Sequence, residues 1–115
     1  SAFKRTKTVR SYLQYLRSKA VHRKRGGETI SLDALEVIWG VQKGRCALTG
    51  WPMTMELANG VVPTNCSIDR IDSSKGYIVG NVQLVCRAAN VAKHDLSTQE
   101  FIALCRGVVE QSRGV

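Results

Sequence analysis

The sequence predicts a mainly helical α+β fold with the order helix, helix, strand, strand, helix, helix. Three observations carry this prediction. Apolar residues recur at three- and four-residue steps in four segments, two short stretches near the middle have the pattern of strands, and turn residues separate these segments. With 115 residues, the chain can form one modest core but not two. We therefore expect a helical arm over residues 1–30 and a single compact domain over residues 31–115.

The first half of the chain predicts two helices. From Thr8 to about Lys24, one apolar stripe runs along an otherwise basic surface. This stripe consists of Val9, Tyr12, Leu13, Leu16 and Ala20. The second helix follows Ser31, which we expect to cap it, and Gly44 stops it. Residues 46–65 then predict a tight turn and a polar connection to the strands.

The second half predicts a strand pair and two further helices. The strands cover residues 67–71 and 81–85, and a glycine-containing loop joins them. A short helix follows over residues 86–94. Ser97 and Glu100 then form the capping-box pattern of a last helix. We expect the core stripe of this helix to consist of Phe101, Leu104, Cys105 and Val108.

Positive charge is concentrated near the start of the chain. The net charge is +8, yet nine of the 17 lysines and arginines and none of the nine acids lie within the first 25 residues. Such asymmetry favours a nucleic acid partner, and the alternative is a solvated helix face. The nine candidate contacts are Lys4, Arg5, Lys7, Arg10, Arg17, Lys19, Arg23, Lys24 and Arg25.

The four cysteines predict free, mostly buried thiols. The chain opens without a signal-peptide pattern and contains no apolar run long enough for a membrane span, so we expect a cytoplasmic location and no membrane contact. Zinc sites usually have paired cysteines, but Cys46 is followed by Thr49 and Cys86 by Ala89. A structural zinc is therefore not expected. The alternative assigns Cys46, Cys66 and Cys86 as zinc ligands.

Polar residues of one strand and one helix form a candidate site. Asn90 and His94 are four residues apart and share a helix face, and the preceding strand carries Asp69. A carboxylate, an amide and an imidazole suit one divalent cation, Mg²⁺ or Mn²⁺, more than a closed zinc site. In the alternative, Asn90 and His94 cap or solvate the helix end, and Asp69 pairs with Arg70 or Lys93.

Residues 44–95 resemble the ββα-metal core of the HNH (His-Me finger) endonuclease family. "KGRCALTG" resembles the cysteine turn of the family and "SIDRID" its dyad strand, while "GYIVGNVQLV" and "CRAANVAKHD" resemble its loop, Asn strand and closing helix. The resemblance implies a ββα-metal core with flanking helices and a metal-dependent DNA endonuclease. The chain is similar to phage-type members of the family, which implies a location in the cytoplasm of a bacterial or phage-infected cell. The same core also serves in structure-selective nucleases.

The resemblance also implies roles for individual residues. The implied metal ligands are Asp69, Asn90 and His94. Asn81 would orient the catalytic residue or brace the loop, and Lys93 would contact phosphate. Lys75 of the loop is a further candidate nucleic-acid contact.

Arg70 departs from the family pattern because it stands where the family usually has a general-base histidine. Arginine stays protonated, so it would bind the scissile phosphate and stabilise the charge that develops there, with metal-activated water as nucleophile. Two alternatives remain open, a nuclease-dead DNA-binding module and an RNA-binding protein.

Overall fold

The computed structural model describes residues 8–23 and 29–114, with the backbone alone for residues 21–23. The described chain forms an α+β fold of four helices and one antiparallel strand pair, in the predicted order. The elements are α1 Val9–Arg23, α2 Leu32–Gln42, β1 Cys66–Arg70, β2 Val82–Cys86, α3 Arg87–Lys93 and α4 Thr98–Arg113. None of the described helices is long and apolar enough to cross a membrane.

Helix α1 packs its predicted apolar stripe into the main core. Tyr12, Leu13 and Ala20 are buried, and the Tyr12 hydroxyl donates a hydrogen bond of 3.0 Å to the carbonyl oxygen of Cys66 in β1. Because α1 and the strands share this core, the helix is anchored to the rest of the fold. The boundary near residue 30 stays a prediction.

Two arginines of α1 also bind the neighbouring segment. Arg10 forms ion pairs with Asp33 and Glu36 at the start of α2. The Nε of Arg17 donates a 2.7 Å hydrogen bond to the carbonyl oxygen of Ile30. These contacts dock α1 beside α2.

Helix α2 begins and ends where local chemistry predicts. The Ser31 side chain accepts a 3.1 Å hydrogen bond from the Ala34 amide, and Lys43 adopts the left-handed conformation after the last turn. The Gln42 side chain accepts from the Leu84 amide at 3.0 Å and donates to the Leu84 carbonyl at 2.8 Å. The edge of β2 is thereby hydrogen-bonded to α2.

The strand pair places one buried polar face under α3. In the antiparallel register, Asp69 lies opposite Gln83 and Ile68 lies opposite Leu84. Ile68 and Leu84 join the apolar core, whereas Asp69 is a buried carboxylate. Successive strand residues face opposite sides, so Ser67 and Asp69 share the face that α3 covers.

The core stripe predicted for α4 is wrong except at Phe101. The capping box of Ser97 and Glu100 is present, but Phe101 is the buried residue of this fully described helix. Leu104, Cys105 and Val108 are exposed. Apolar periodicity reveals which face of a helix is apolar, whereas its burial depends on a neighbouring element, and α4 has no extensive contact with another described helix or strand.

Candidate functional site

A cleft of about 300 Å³ opens where α3 crosses β1. Asp69 and Arg70 of β1 line this cleft together with Asn90 and His94 at the helix. The fold therefore brings four of the five predicted catalytic and metal-binding residues to one place. The fifth, Asn81, lies outside the cleft lining.

The carboxylate of Asp69 is paired within the protein. Lys93 is fully buried, and its Nζ lies 3.2 Å from both Asp69 Oδ1 and Oδ2. The Nε2 of Gln83 donates a 2.9 Å hydrogen bond to Oδ2. Lys93 also donates a 3.0 Å bond to the carbonyl oxygen of Arg70. Such a network offsets the cost of burying two charges, and it confirms the Asp69–Lys93 pairing that the sequence left open.

The strand and helix periods explain how α3 is fixed over β1. Ser67 and Asp69 are two apart on one face of the strand, and Asn90 and Lys93 are three apart on one face of the helix. Asn90 Nδ2 donates a 2.5 Å hydrogen bond to Ser67 Oγ, and Lys93 contacts Asp69. The Asn90–Ser67 and Lys93–Asp69 contacts thus join one face of α3 to one face of β1.

Arg70 lies at the edge of the cleft and is held by the loop after β1. Its guanidinium carbon is 5.2 Å from the centroid of the Tyr77 ring, a cation–π distance. Its Nη1 donates a 3.3 Å hydrogen bond to the carbonyl oxygen of Lys75. Arg70 remains partly exposed, so its other donors can reach a phosphate in the cleft.

Asn81 braces that same loop. Its Oδ1 accepts a 2.9 Å hydrogen bond from the Asp72 amide, and its Nδ2 donates to the carbonyls of Asp72 at 3.1 Å and Gly76 at 2.8 Å. Of the two roles that the resemblance implies for Asn81, these contacts match the brace. The loop that Asn81 braces contains Lys75 and Tyr77, which contact Arg70. Asn81 therefore affects the position of Arg70 indirectly, through this loop.

The candidate cation ligands Asp69, Asn90 and His94 have suitable donor atoms, but Lys93 competes with a cation for one of them. His94 follows α3 with an exposed imidazole whose Nδ1 is 3.3 Å from Asp95 Oδ2. Carboxylate, amide and imidazole donors fit Mg²⁺ or Mn²⁺. Within residues 8–23 and 29–114, no three Asp, Glu, His or Cys side chains form a metal-binding group, so the set depends on the Asn90 amide. Lys93 would compete with a cation for Asp69.

Arg87 is a cleft residue that sequence reasoning missed. It is the first residue of α3 and lines both this cleft and a neighbouring groove of about 240 Å³. Tyr15 and Lys19 of α1 also line that groove, with Lys19 Nζ 4.8 Å from the Tyr15 ring centroid. A signal was available, because Arg87 is three residues before Asn90 and seven before His94, and the helix predicted over residues 86–94 would carry all three on one face.

The predicted nucleic-acid contacts divide into several groups. Lys4, Arg5, Lys7, Lys24 and Arg25, and the side chain of Arg23, lie outside the described residues. Arg10 and Arg17 make the contacts within the fold described above. Lys19 and Lys75 are exposed, whereas Lys93 is buried against Asp69 and its ammonium has no access to a phosphate in this structure.

Three of the four cysteines are buried, as predicted. All four are free thiols, and Cys105 is the exposed one. Burial raises the pKa of Cys66 to about 12, and the nearby Cys46 adds to this rise. Burial alone would raise the pKa of Cys46 too, but hydrogen bonds from Thr49 and from the backbone outweigh it and lower that pKa. The absence of a structural zinc stays a prediction.

No family model, curated protein or solved structure matched this chain. The resemblance to HNH endonucleases therefore depends on the quoted motifs alone.

Proposed function

We propose that this protein is a metal-dependent DNA endonuclease that hydrolyses phosphodiester bonds. One observation carries the proposal, the meeting of Asp69, Arg70, Asn90 and His94 at a single cleft where a helix crosses an antiparallel strand pair. The resemblance to a ββα-metal core assigns functional roles to these same four residues. A ββα-metal core would therefore consist of β1, β2 and α3.

Arginines of the cleft would bind the substrate. Arg70 and Arg87 both line the cleft, and a guanidinium can donate two parallel hydrogen bonds to a phosphate. Lys19 lines the groove that Arg87 shares with the cleft, so a second phosphate of the same strand would contact α1 there. Phosphate contacts of this kind position DNA without reading its sequence.

Asp69, Asn90 and His94 would hold the divalent cation. When bound, Mg²⁺ or Mn²⁺ would act as a Lewis acid on the phosphate and favour deprotonation of an attacking water. Arg70 cannot serve as a general base because its guanidinium stays protonated. It would instead orient the phosphate oxygens and offset the negative charge that grows on them in the transition state.

Cleavage of supercoiled plasmid tests the proposal. We expect nicked or linear product with Mg²⁺ or Mn²⁺ and none with EDTA. His94→Ala should abolish cleavage, because it removes one cation ligand while leaving the core intact. Arg45→Ala is the matched control, since Arg45 is exposed and lies near Gly50, away from the cleft lining. Plasmid that stays intact with every cation would refute the proposal.

One observation favours a second candidate, a DNA-binding module of the same fold that does not cut. The ammonium of Lys93 already neutralises Asp69, and a cation would have to displace it. Under this alternative, the protein binds duplex DNA with a steep salt dependence and leaves it uncut. If the missing base is what prevents cleavage, Arg70→His, which restores the usual family base, would gain cleavage that the natural protein lacks. Tighter binding to RNA than to DNA would instead support the RNA-binding alternative.

A further inference from the structure

A second carboxylate lines the cleft and has no role in the cation set considered so far. Asp95 lies there beside His94, and 75% of its side chain is exposed. Both oxygens of Asp69, by contrast, are 3.2 Å from the buried ammonium of Lys93. Among the side chains that the structure describes, Asp95 has no lysine or arginine partner. Its negative charge is therefore available to a cation, whereas that of Asp69 is already neutralised.

The distance between His94 and Asp95 suits two ligands of one cation. His94 Nδ1 is 3.3 Å from Asp95 Oδ2. An octahedral ion such as Mg²⁺ holds its ligands at about 2.1 Å, which separates neighbouring ligands by about 3 Å. A cation could therefore bind both atoms with little movement of either side chain. It would also displace little, because an exposed ion pair contributes little stability.

The backbone presents these two side chains in a turn that favours glycine. The Leu96 amide donates a 2.9 Å hydrogen bond to the Lys93 carbonyl, which closes a turn with His94 and Asp95 at its centre. His94 has φ 49° and ψ −121°, the geometry of the first central residue of a type II′ turn. A side chain strains that position, and strain of this kind is concentrated at functional sites. A histidine in a glycine position is thus a second observation that points to a site here.

We propose that Asp95 is a ligand of the divalent cation and binds it together with His94. The inference rests on the proposed function, because it names a ligand of the same cation. Asn90, one helical turn before His94, donates through its Nδ2 to Ser67, so its amide oxygen is the atom that would complete the set. Waters and a substrate phosphate would fill the other positions, as is usual for Mg²⁺. The cation then binds without displacing Lys93 from the core.

Titration of the full chain with Mn²⁺, in the absence of DNA, tests this inference. We expect calorimetry to give one Mn²⁺ per wild-type chain. Asp95→Asn should weaken the affinity by at least about tenfold, since even the loss of an outer partner of a ligand costs this much. Asp72→Asn is the matched control, because the Asp72 carboxylate accepts from Ser74 and lies outside the cleft lining. It should keep the wild-type affinity, and circular dichroism would verify that both variants fold.

His94→Gly gives a second measurement that separates the turn from the imidazole. Glycine adopts the turn geometry without strain, so the midpoint of urea unfolding should rise while the Mn²⁺ affinity falls. A wild-type chain that binds no Mn²⁺ would overturn the inference. So would wild-type affinity in Asp95→Asn or His94→Gly, or an equal loss in Asp72→Asn. If Mn²⁺ affinity depends on Asp95 and plasmid nevertheless stays uncut, the inference holds and the proposed nuclease activity fails alone.

Discussion

The segments on either side of Ser97 distribute polar and apolar side chains in opposite ways. Around α3, the charged pair Asp69 and Lys93 is buried, and its hydrogen bonds are provided by Gln83 and the Arg70 carbonyl. In α4, apolar side chains such as Val108 are exposed. Both patterns depart from the usual rule that charges lie outside and apolar groups inside.

The two departures have different physical consequences. Buried charge near α3 makes that region depend on complete pairing, because an unpaired ion in the interior is costly. The exposed apolar side chains of α4 create no unpaired charge, but they also contribute few packing contacts that would stabilise the helix. We therefore expect α3 to be part of the cooperative fold and α4 to open locally.

The largest effect on stability should come from breaking the buried pair. Lys93→Met removes the ammonium and leaves Asp69 buried without its counter-charge, so the free energy of unfolding should fall by about 3–5 kcal/mol. Urea denaturation would measure it. Lys75→Met, at an exposed lysine of the neighbouring loop, should change it by less than about 0.5 kcal/mol.

A double variant separates pairing from packing. Asp69→Asn combined with Lys93→Met removes both charges, so it should recover much of the stability lost in the single variant. If Lys93→Met alone lowers the free energy of unfolding by less than about 1 kcal/mol, the Asp69–Lys93 pair does not contribute to the stability of the fold.

A smaller effect should follow from removing the cap of α4. Ser97 Oγ accepts a 3.1 Å hydrogen bond from the Glu100 amide, and Ser97→Ala should cost about 1 kcal/mol of helix stability. Because α4 is anchored mainly through Phe101, this loss should appear as roughly fivefold faster amide exchange within α4 and not in β1. Ser31→Ala removes the equivalent cap of α2, whose Leu35 is in the core, and should lower global stability instead.

Acid should reproduce part of the Ser97→Ala effect. The hydrogen bond from the Ser97 amide, with a smaller contribution from the Ser97 side chain, lowers the pKa of Glu100. A carboxylate whose pKa is lower in the folded state stabilises that state above its unfolded pKa, and the contribution is lost as the pH falls through the folded pKa. After correction for the slower intrinsic exchange in acid, the protection of α4 amides should therefore fall as the pH drops below the usual glutamate pKa, and less so in Ser97→Ala. An equal loss of protection in both proteins would contradict a role for the capping box.

The features that the sequence predicted correctly are local ones. The caps at Ser31 and Ser97 depend on residues three positions away, so these helix starts can be predicted from the local sequence alone. The exposed face of α4 could not be predicted, because periodicity does not reveal whether another element covers a face. The sequence also did not decide whether the Asp69 carboxylate binds a cation or pairs with Lys93, because this depends on how α3 crosses β1.

Arg87 is a different kind of omission. Its spacing from Asn90 and His94 is visible in the sequence, whereas the clustering of positive charge singles out the N-terminal basic residues. Among those basic residues, Arg10 and Arg17 make contacts within the fold, which composition alone cannot distinguish from contacts with a partner.

The central claim, that the cleft at α3 hydrolyses phosphodiester bonds, is tested most directly by the single-turnover cleavage rate of Arg70→Ala. Arg70 lines the cleft, and its side chain makes one hydrogen bond within the described residues, to the Lys75 carbonyl, beside its contact with the Tyr77 ring, so its removal should leave the fold intact. We predict a rate lower by about two to three powers of ten, the usual loss for one charge-stabilising donor. Arg70→Lys should recover only part of it, since a point charge cannot replace the planar fork. A rate for Arg70→Ala equal to that of the wild-type protein would contradict the account.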